Sequence, residues 1–252
     1  MADNYTEKLE QLKSRFAEEG ISPIVDDPEY LIKFLQARLL DVEKTVVLMK
    51  CYLDYKAGNP NMFSLPSRIK QIFDTNLMKI LNTRSNSGEA LILFRPGAWN
   101  PSLFNFDSIL SAALISLEMA ALSPESQKCG LIMISDMESF GWKQLKHFTP
   151  FQAKKLANIM EKIIPLRVNA ITIFNQSKFA ELAWTVIKPF LSEHLRSRVT
   201  FHGADYKHLE GFVQDYKSLP DSLGGQGGQL DCSDFYLNLA NNESLFKSFG
   251  YS

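Results

Sequence analysis

Cysteine is scarce in this sequence, and what there is excludes a disulfide framework. Cys51, Cys129 and Cys232 are odd in number and far apart, without the close pairs that build metal sites. A reducing, cytosolic setting suits such a chain best. The four histidines, His147, His194, His202 and His208, show no ligand spacing either, so no metal is expected. Charge of one sign is also missing. Twenty-seven basic and 28 acidic residues leave a net charge of −1, which gives no global field to attract nucleic acid or an anionic membrane. Any electrostatic recognition must be local. No apolar run is long enough to cross a bilayer, and the longest, 109–122, is interrupted by Glu118. The opening Met1-Ala2-Asp3-Asn4-Tyr5 lacks the basic and apolar regions of a signal peptide, and Ala2 stands where N-myristoylation needs glycine. The expectation is a cytoplasmic protein whose membrane contacts are transient and peripheral.

The usual marks of an enzyme are absent too. No phosphate-binding glycine loop follows the first strand-like run. The Gly224-Gly225-Gln226-Gly227-Gly228 stretch lies late in the chain, lacks a following Lys-Ser/Thr, and reads as a turn. There is no Gly-x-Ser-x-Gly elbow. His208-Leu209-Glu210 has no Cys-x-x-Cys partner. Asp136 and Glu138 fall at a strand end, a common place for active sites in α/β folds, but caps and loop hydrogen bonds explain such acids as readily. A binding role without a cofactor fits better than an enzymatic one.

What is present is periodicity. Residues 1 to about 80 repeat at 3.6-residue spacing. A charged amphipathic helix over 5–19 ends at Gly20, a second is capped by Asp26 or Asp27 with Pro28 in its first turn, a third starts at Asp41 and stops near Gly58, and a fourth spans 68–81. From residue 90 the pattern alternates. Strands are expected over 90–95, 130–135, 170–174 and 198–202, with helices over 106–122 and 150–164 between them, which indicates a mainly parallel α/β sheet. The tail, 233–249, reads as a weak amphipathic helix packed back on the body. The division expected is a helical N-terminal lobe over 1–82 and a sheet-bearing lobe over 83–252.

One stretch has more apolar character than a surface helix needs. In 179–191, Phe179, Leu182, Ala183, Val186 and Phe190 form one helical stripe, and Ala180, Trp184, Ile187 and Leu191 form a second beside it. Such a helix is either buried, with Pro189 bending its last turn, or a lid with one face over an apolar cavity and the other toward a membrane. Cations gather near it: Arg167 before the third strand, Lys188 inside the stretch, and His194, Arg196 and Arg198 after it. Together they could form a phosphate site, because Arg and Lys donors match phosphate oxygens.

Several motifs lie in one register. Leu31-Ile32-Lys33-Phe34-Leu35-Gln36-Ala37-Arg38 is followed by Asp41-Val42-Glu43-Lys44, Trp99-Asn100-Pro101, Gly130 to Asp136, Ile187-Lys188-Pro189-Phe190-Leu191, and Leu219-Pro220 with Gly224-Gly225. Over roughly 25–240 this order and spacing resembles the CRAL-TRIO lipid-binding family, nearest to its tocopherol- and retinaldehyde-binding animal branch. The resemblance implies a helical N-terminal lobe and an α/β lobe with a hydrophobic ligand cavity beneath a mobile gate helix. It implies a carrier for one hydrophobic molecule, a retinoid, tocopherol, carotenoid or similar lipid, released at phosphoinositide-containing membranes. A phosphatidylinositol or phospholipid exchange protein and a lipid-dependent trafficking adaptor are the alternatives. Carried over by position, the pocket falls on Leu110, Ala113, Ser116, Leu117, Leu131, Phe140, Leu156, Ile159, Met160, Ile164, Val168 and Ile171. The gate falls on Phe179, Ala180, Ala183, Trp184, Ile187, Phe190 and Leu191. Phosphoinositide binding falls on Arg38, Arg167, His194 and Arg198, with Lys188 and Arg196 in support. Three departures stand out. Ala113 and Leu117 replace serines of the tocopherol-binding pattern, so weaker tocopherol binding is expected. His194 replaces a lysine. Ser222 replaces a glutamate in the Leu-Pro-x-Glu-x-Gly-Gly motif.

Overall fold

The structure, a computed structural model, describes residues 2–252 and the side chains from Tyr5 onward; part of the opening segment weighed above as a leader lies outside these residues. Helices α1 (Ala2–Glu18), α2 (Pro28–Ala37), α3 (Val42–Gly58) and α4 (Pro66–Phe73) come first. Gly20, at φ 64°, takes the left-handed conformation that ends α1. The Asp27 carboxylate accepts from the Glu29 and Tyr30 N–H groups at the start of α2, and Asp41 caps α3 through Lys44 N at 3.0 Å.

The fourth helix is shorter than its periodicity suggests. It stops at Phe73, Asn76 turns the chain at φ 55°, and strand β1 (Met78–Arg84) follows. The helix expected to reach Leu81 is therefore half helix and half strand. The alternation Met78-Lys79-Ile80 mimics either period over so short a run, and antiparallel pairing with β2 (Ala90–Phe94) decides for strand.

The rest runs α5 (Phe106–Ala121), α6 (Pro124–Cys129), β3 (Leu131–Asp136), α7 (Trp142–Leu145), α8 (Pro150–Asn158), β4 (Val168–Phe174), α9 (Lys178–Ile187), α10 (Glu193–Arg196), β5 (Val199–Phe201), α11 (Lys207–Glu210), α12 (Ser233–Asn241) and α13 (Glu243–Ser248). A π-turn over Ile159–Ile163 continues α8, with Ile164 N donating to Ile159 O at 3.2 Å. Among the described residues the strands form one sheet in the order β1-β2-β3-β4-β5. Only β1 is antiparallel to its neighbour, as crossover helices between successive strands require. Strand β1 spans the expected 82/83 lobe boundary and belongs to the sheet. No helix among the described residues is long and apolar enough to cross a membrane.

The sheet buries both faces. Leu91, Leu93, Ile132, Ile134 and Phe174 point to one side, where Leu209, Leu219 and Leu223 cover them. That cover depends on the glycine turn: a Cβ on Gly225 would lie 2.0 Å from Leu219 O and one on Gly227 2.4 Å from Ser218 O, so only glycine allows this close return. Ser222, beside the turn, has a buried hydroxyl with no partner among the described residues.

The opposite face meets α5 and the helical half. At that junction an ion pair is buried whole: Lys33 on α2 donates to Glu118 on α5, and their side chains are each 2 % exposed. The Tyr52 and Tyr251 hydroxyls reach the same carboxylate, each at 3.4 Å. The Tyr30 and Phe249 rings flank the Lys33 ammonium at 3.8 and 4.5 Å. Nearby, Lys56 donates to Phe249 O. Residues 249–252 thus close over the network as a strap, held also by Ser252 N on Phe63 O at 2.9 Å and Leu65 N on Ser252 O at 3.2 Å.

Candidate functional site

On the helical side, toward the C-terminal ends of the strands, the packing leaves a cavity of about 180 Å³. Two rungs of the sheet make its floor. In register across β2 to β5 the first is Phe94, Ser135, Ile173 and Phe201, and the second includes Met133, Ile171 and Val199. Helix α5 contributes Ile109, Leu110 and Ala113, and the α8 region adds Leu156 and Met160. The roof is α9. Ala180, Ala183, Trp184 and Ile187 face down from it, and Leu191 closes the far end.

Helix α9 stops at Ile187 and the chain tightens into a 3₁₀ turn over Lys188–Phe190, where Pro189 has no N–H to continue the helix. The inner stripe is buried while Leu182 is 52 % and Phe190 38 % exposed. Of the first stripe read in the sequence, Leu182 and Phe190 thus face solvent, Phe179 and Val186 are partly buried, and Ala183 lines the cavity. Trp142 on α7 and Phe151 on α8 are also exposed, at 64 % and 65 %, and both helices pack against α9. Large apolar side chains thus gather around the roof, which single exposed residues elsewhere do not do.

Of the positions inferred for the pocket, Leu110, Ala113, Phe140, Leu156, Met160 and Ile171 line the cavity. Ser116, Leu117, Leu131, Ile159, Ile164 and Val168 do not; they are buried in the sheet–helix core. Ser116 lies about a turn farther along α5 than Ala113 and spends its hydroxyl on Ala112 O at 2.8 Å. Sequence reading missed the aromatic end wall, Trp99, Phe106 and Phe148, and the floor residues Phe94, Ser135 and Phe201. Strand alternation carries the floor: Met133, Ser135 and Met137 share one parity and Ile132 and Ile134 the other.

The inferred cations divide into two groups. Arg38, Arg167 and Arg198 converge beside the end of α2. Arg38 donates to Ala37 O at 3.2 Å and Glu161 O at 3.3 Å. Arg167 donates to Gln36 O and Lys128 O, and Arg198 to Val168 O. None of the three pairs with a carboxylate among the described residues. Burial lowers the proton affinity of Arg38 and Arg167, and the Arg198 charge adds to this at Arg167. Cations held only by carbonyl oxygens, partly desolvated and mutually repelling, make a site that gains by taking an anion. Lys188 and Arg196 lie apart from them, in a shallow groove shared with Trp184, Glu193 and Ser197. His194 is exposed, its ring without a hydrogen-bond partner among the described residues.

One residue joins the triad to the roof. The Glu161 carbonyl, in the π-turn, accepts from Arg38. Its carboxylate accepts from Ser192 N, immediately after the gate stretch.

Comparison with known proteins agrees with this architecture. The CRAL/TRIO domain family matches residues 74–225, and the chain belongs to this family of lipid-binding and transfer proteins. Alpha-tocopherol transfer protein-like from Mus musculus is 29% identical over 226 residues, covering 88% of this chain and 66% of the relative. Clavesin-1 from Rattus norvegicus is 29% identical over 203 residues, covering 79% and 57%. The chain thus spans about two thirds or less of these relatives' length. The crystal structure of Sfh5 superposes with a TM-score of 0.58 at 14% identity, covering 96% of this chain and 98% of that one, a likeness of fold alone.

Proposed function

We propose that this protein carries one hydrophobic small molecule in the cavity beneath α9 and releases it at phosphoinositide-containing membranes when α9 opens. The observation that carries the reading is the two-sided roof: its inner face lines an apolar cavity while Leu182 and Phe190 on its outer face meet solvent. A helix buried only for packing has no use for the second face, whereas a lid that enters a lipid surface does. Burial of cargo provides about 25 cal/mol per Å² of apolar surface. The arginine triad supplies the anion site for the headgroup, with Lys188, Arg196 and His194 as outlying cations. The helical lobe, expected over 1–82, and the sheet-bearing lobe, expected over 83–252, then divide the work, the first contributing Arg38 and the second, together with β1, the cavity and gate.

Phospholipid exchange is the second reading. Against it, no charged side chain among the described residues lines the cavity, so a phosphodiester held inside would lose its hydration without a partner. Native mass spectrometry of the purified protein, followed by transfer between vesicles with and without phosphatidylinositol bisphosphate, tests both. A bound apolar isoprenoid and phosphoinositide-stimulated transfer are expected. A bound diacyl phospholipid would favour exchange, and a protein that takes up no lipid would leave only an adaptor.

A further inference from the structure

Among the described residues the cavity wall carries one hydroxyl, which the resemblance to the family did not place in the pocket. Ser135 sits on β3 in the middle of the floor, in register with Phe94 on one side and Ile173 on the other. It is 7 % exposed. Among the described residues nothing donates to or accepts from its hydroxyl, which opens on the cavity. The other polar groups of the wall are two indoles. Trp99 Nε1 already donates to Phe104 O at 2.8 Å, and Trp184 stands on the roof, where it also borders the outer groove. A hydroxyl left unpaired in an apolar enclosure is costly, and its small side chain leaves a notch between two large neighbours.

From this geometry we infer that Ser135 is the polar anchor of the cargo: the ligand is an apolar skeleton bearing one oxygen function, an alcohol or a carbonyl, that seats in the notch and hydrogen-bonds to Ser135 Oγ. A serine hydroxyl both donates and accepts, so it serves either oxygen. Beyond this single contact the wall is hydrocarbon and selects by shape, which fixes the cargo class as mono-oxygenated with its polar end toward the sheet. The inference rests on the cavity being the ligand site.

The test uses three probes of one C15 skeleton, farnesol, farnesal and the hydrocarbon farnesene, titrated by quenching of the tryptophan fluorescence that Trp99 and Trp184 contribute beside the cavity. The wild-type protein should bind the alcohol and the aldehyde roughly tenfold more tightly than the hydrocarbon. Ser135→Ala should abolish the difference while leaving farnesene affinity within about twofold, and Ser135→Thr, which keeps a hydroxyl, should retain the preference. Ala183→Trp, which fills the cavity from the roof, should weaken all three. If Ala183→Trp changes none of them, the cavity is not the site and the proposed function falls with it. If Ala183→Trp weakens all three but the preference is absent in the wild type or survives in Ser135→Ala, the cavity stands and Ser135 is not its anchor. Failure of all three probes to bind overturns both.

Discussion

Lys33 and Glu118 show how little of a buried pair can be removed safely. Each alone would be a bare charge in an aromatic enclosure. Burial lowers the Lys33 proton affinity and Glu118 opposes the shift. Glu118→Gln should therefore cost about 3–5 kcal/mol, because it strands Lys33, while the double change Lys33→Met with Glu118→Leu should recover most of that loss. Urea unfolding at neutral pH measures both. Lys56 predicts a pH dependence. Burial first, and then the Lys33 charge, push it down to about 8, with Glu118 opposing. The unfolded chain keeps this proton up to about 10.4, so between pH 8 and 10 the unfolded state binds more protons and the stability from this site rises with pH. The buried Tyr52 and Tyr251 are pushed up. Their contribution is complete below the ordinary phenol range and is lost above pH ~10, as the unfolded phenols ionise. Lys33, lowered as well, adds to the rise, and Cys232, pushed up to about 11 by burial, opposes it once the unfolded thiol ionises at ~8.5, so the Lys56 share is the difference between the wild type and Lys56→Met. That difference should grow from pH 8 to 10, while the fall above pH ~10 should remain in Lys56→Met.

At the scale of elements, α9 and its tether make the most direct claims. Phe190→Asp should slow vesicle transfer severalfold while lowering the melting temperature by no more than a few degrees, since Phe190 is 38 % exposed. A melting temperature lowered by many degrees with transfer intact would mark α9 as core instead. Glu161→Gln weakens the acceptor that holds Ser192 N and should speed cargo release from the closed protein, read as faster loss of a bound fluorescent probe into vesicles lacking phosphoinositides. This scale also shows what could be read in advance. The double stripe of 179–191 was visible because helical period and apolar count are local properties. Which of its residues faced inward was not, because that depends on the sheet beneath, and Ala183 of the first stripe joins Ala180, Trp184 and Ile187 of the second over the cavity. Strand β1 was hidden for the same reason: its identity comes from pairing with β2. The pocket followed the rule. Floor residues such as Ser135 are set by strand parity across four strands, and Ser116 and Leu117 lost their expected place because they lie a turn farther along α5 than Ala113, past the end of the cavity.

For the whole molecule, the near-zero net charge leaves the proposed membrane attraction to local cations, chiefly Arg38, Arg167 and Arg198. Arg167→Ala should weaken binding to vesicles containing phosphatidylinositol bisphosphate about tenfold or more, and added salt should weaken the wild type by screening. Equal binding to vesicles without phosphoinositides would remove the patch from the mechanism. The motif order from 31 to 225 was enough to indicate the architecture, because it samples both the helical half and the sheet.

The strap over Lys33 also has a consequence in time. The ion pair is complete once residue 118 has been made, but its cover, Phe249 and Tyr251, is synthesised more than a hundred residues later. During translation the helical half must therefore wait, with a charged pair half-wrapped and the Phe63 and Tyr30 rings exposed. Nascent chains halted at residue 242 should be cleaved readily by protease within α2 and α3 and should recruit chaperones, whereas chains extended through residue 252 should resist.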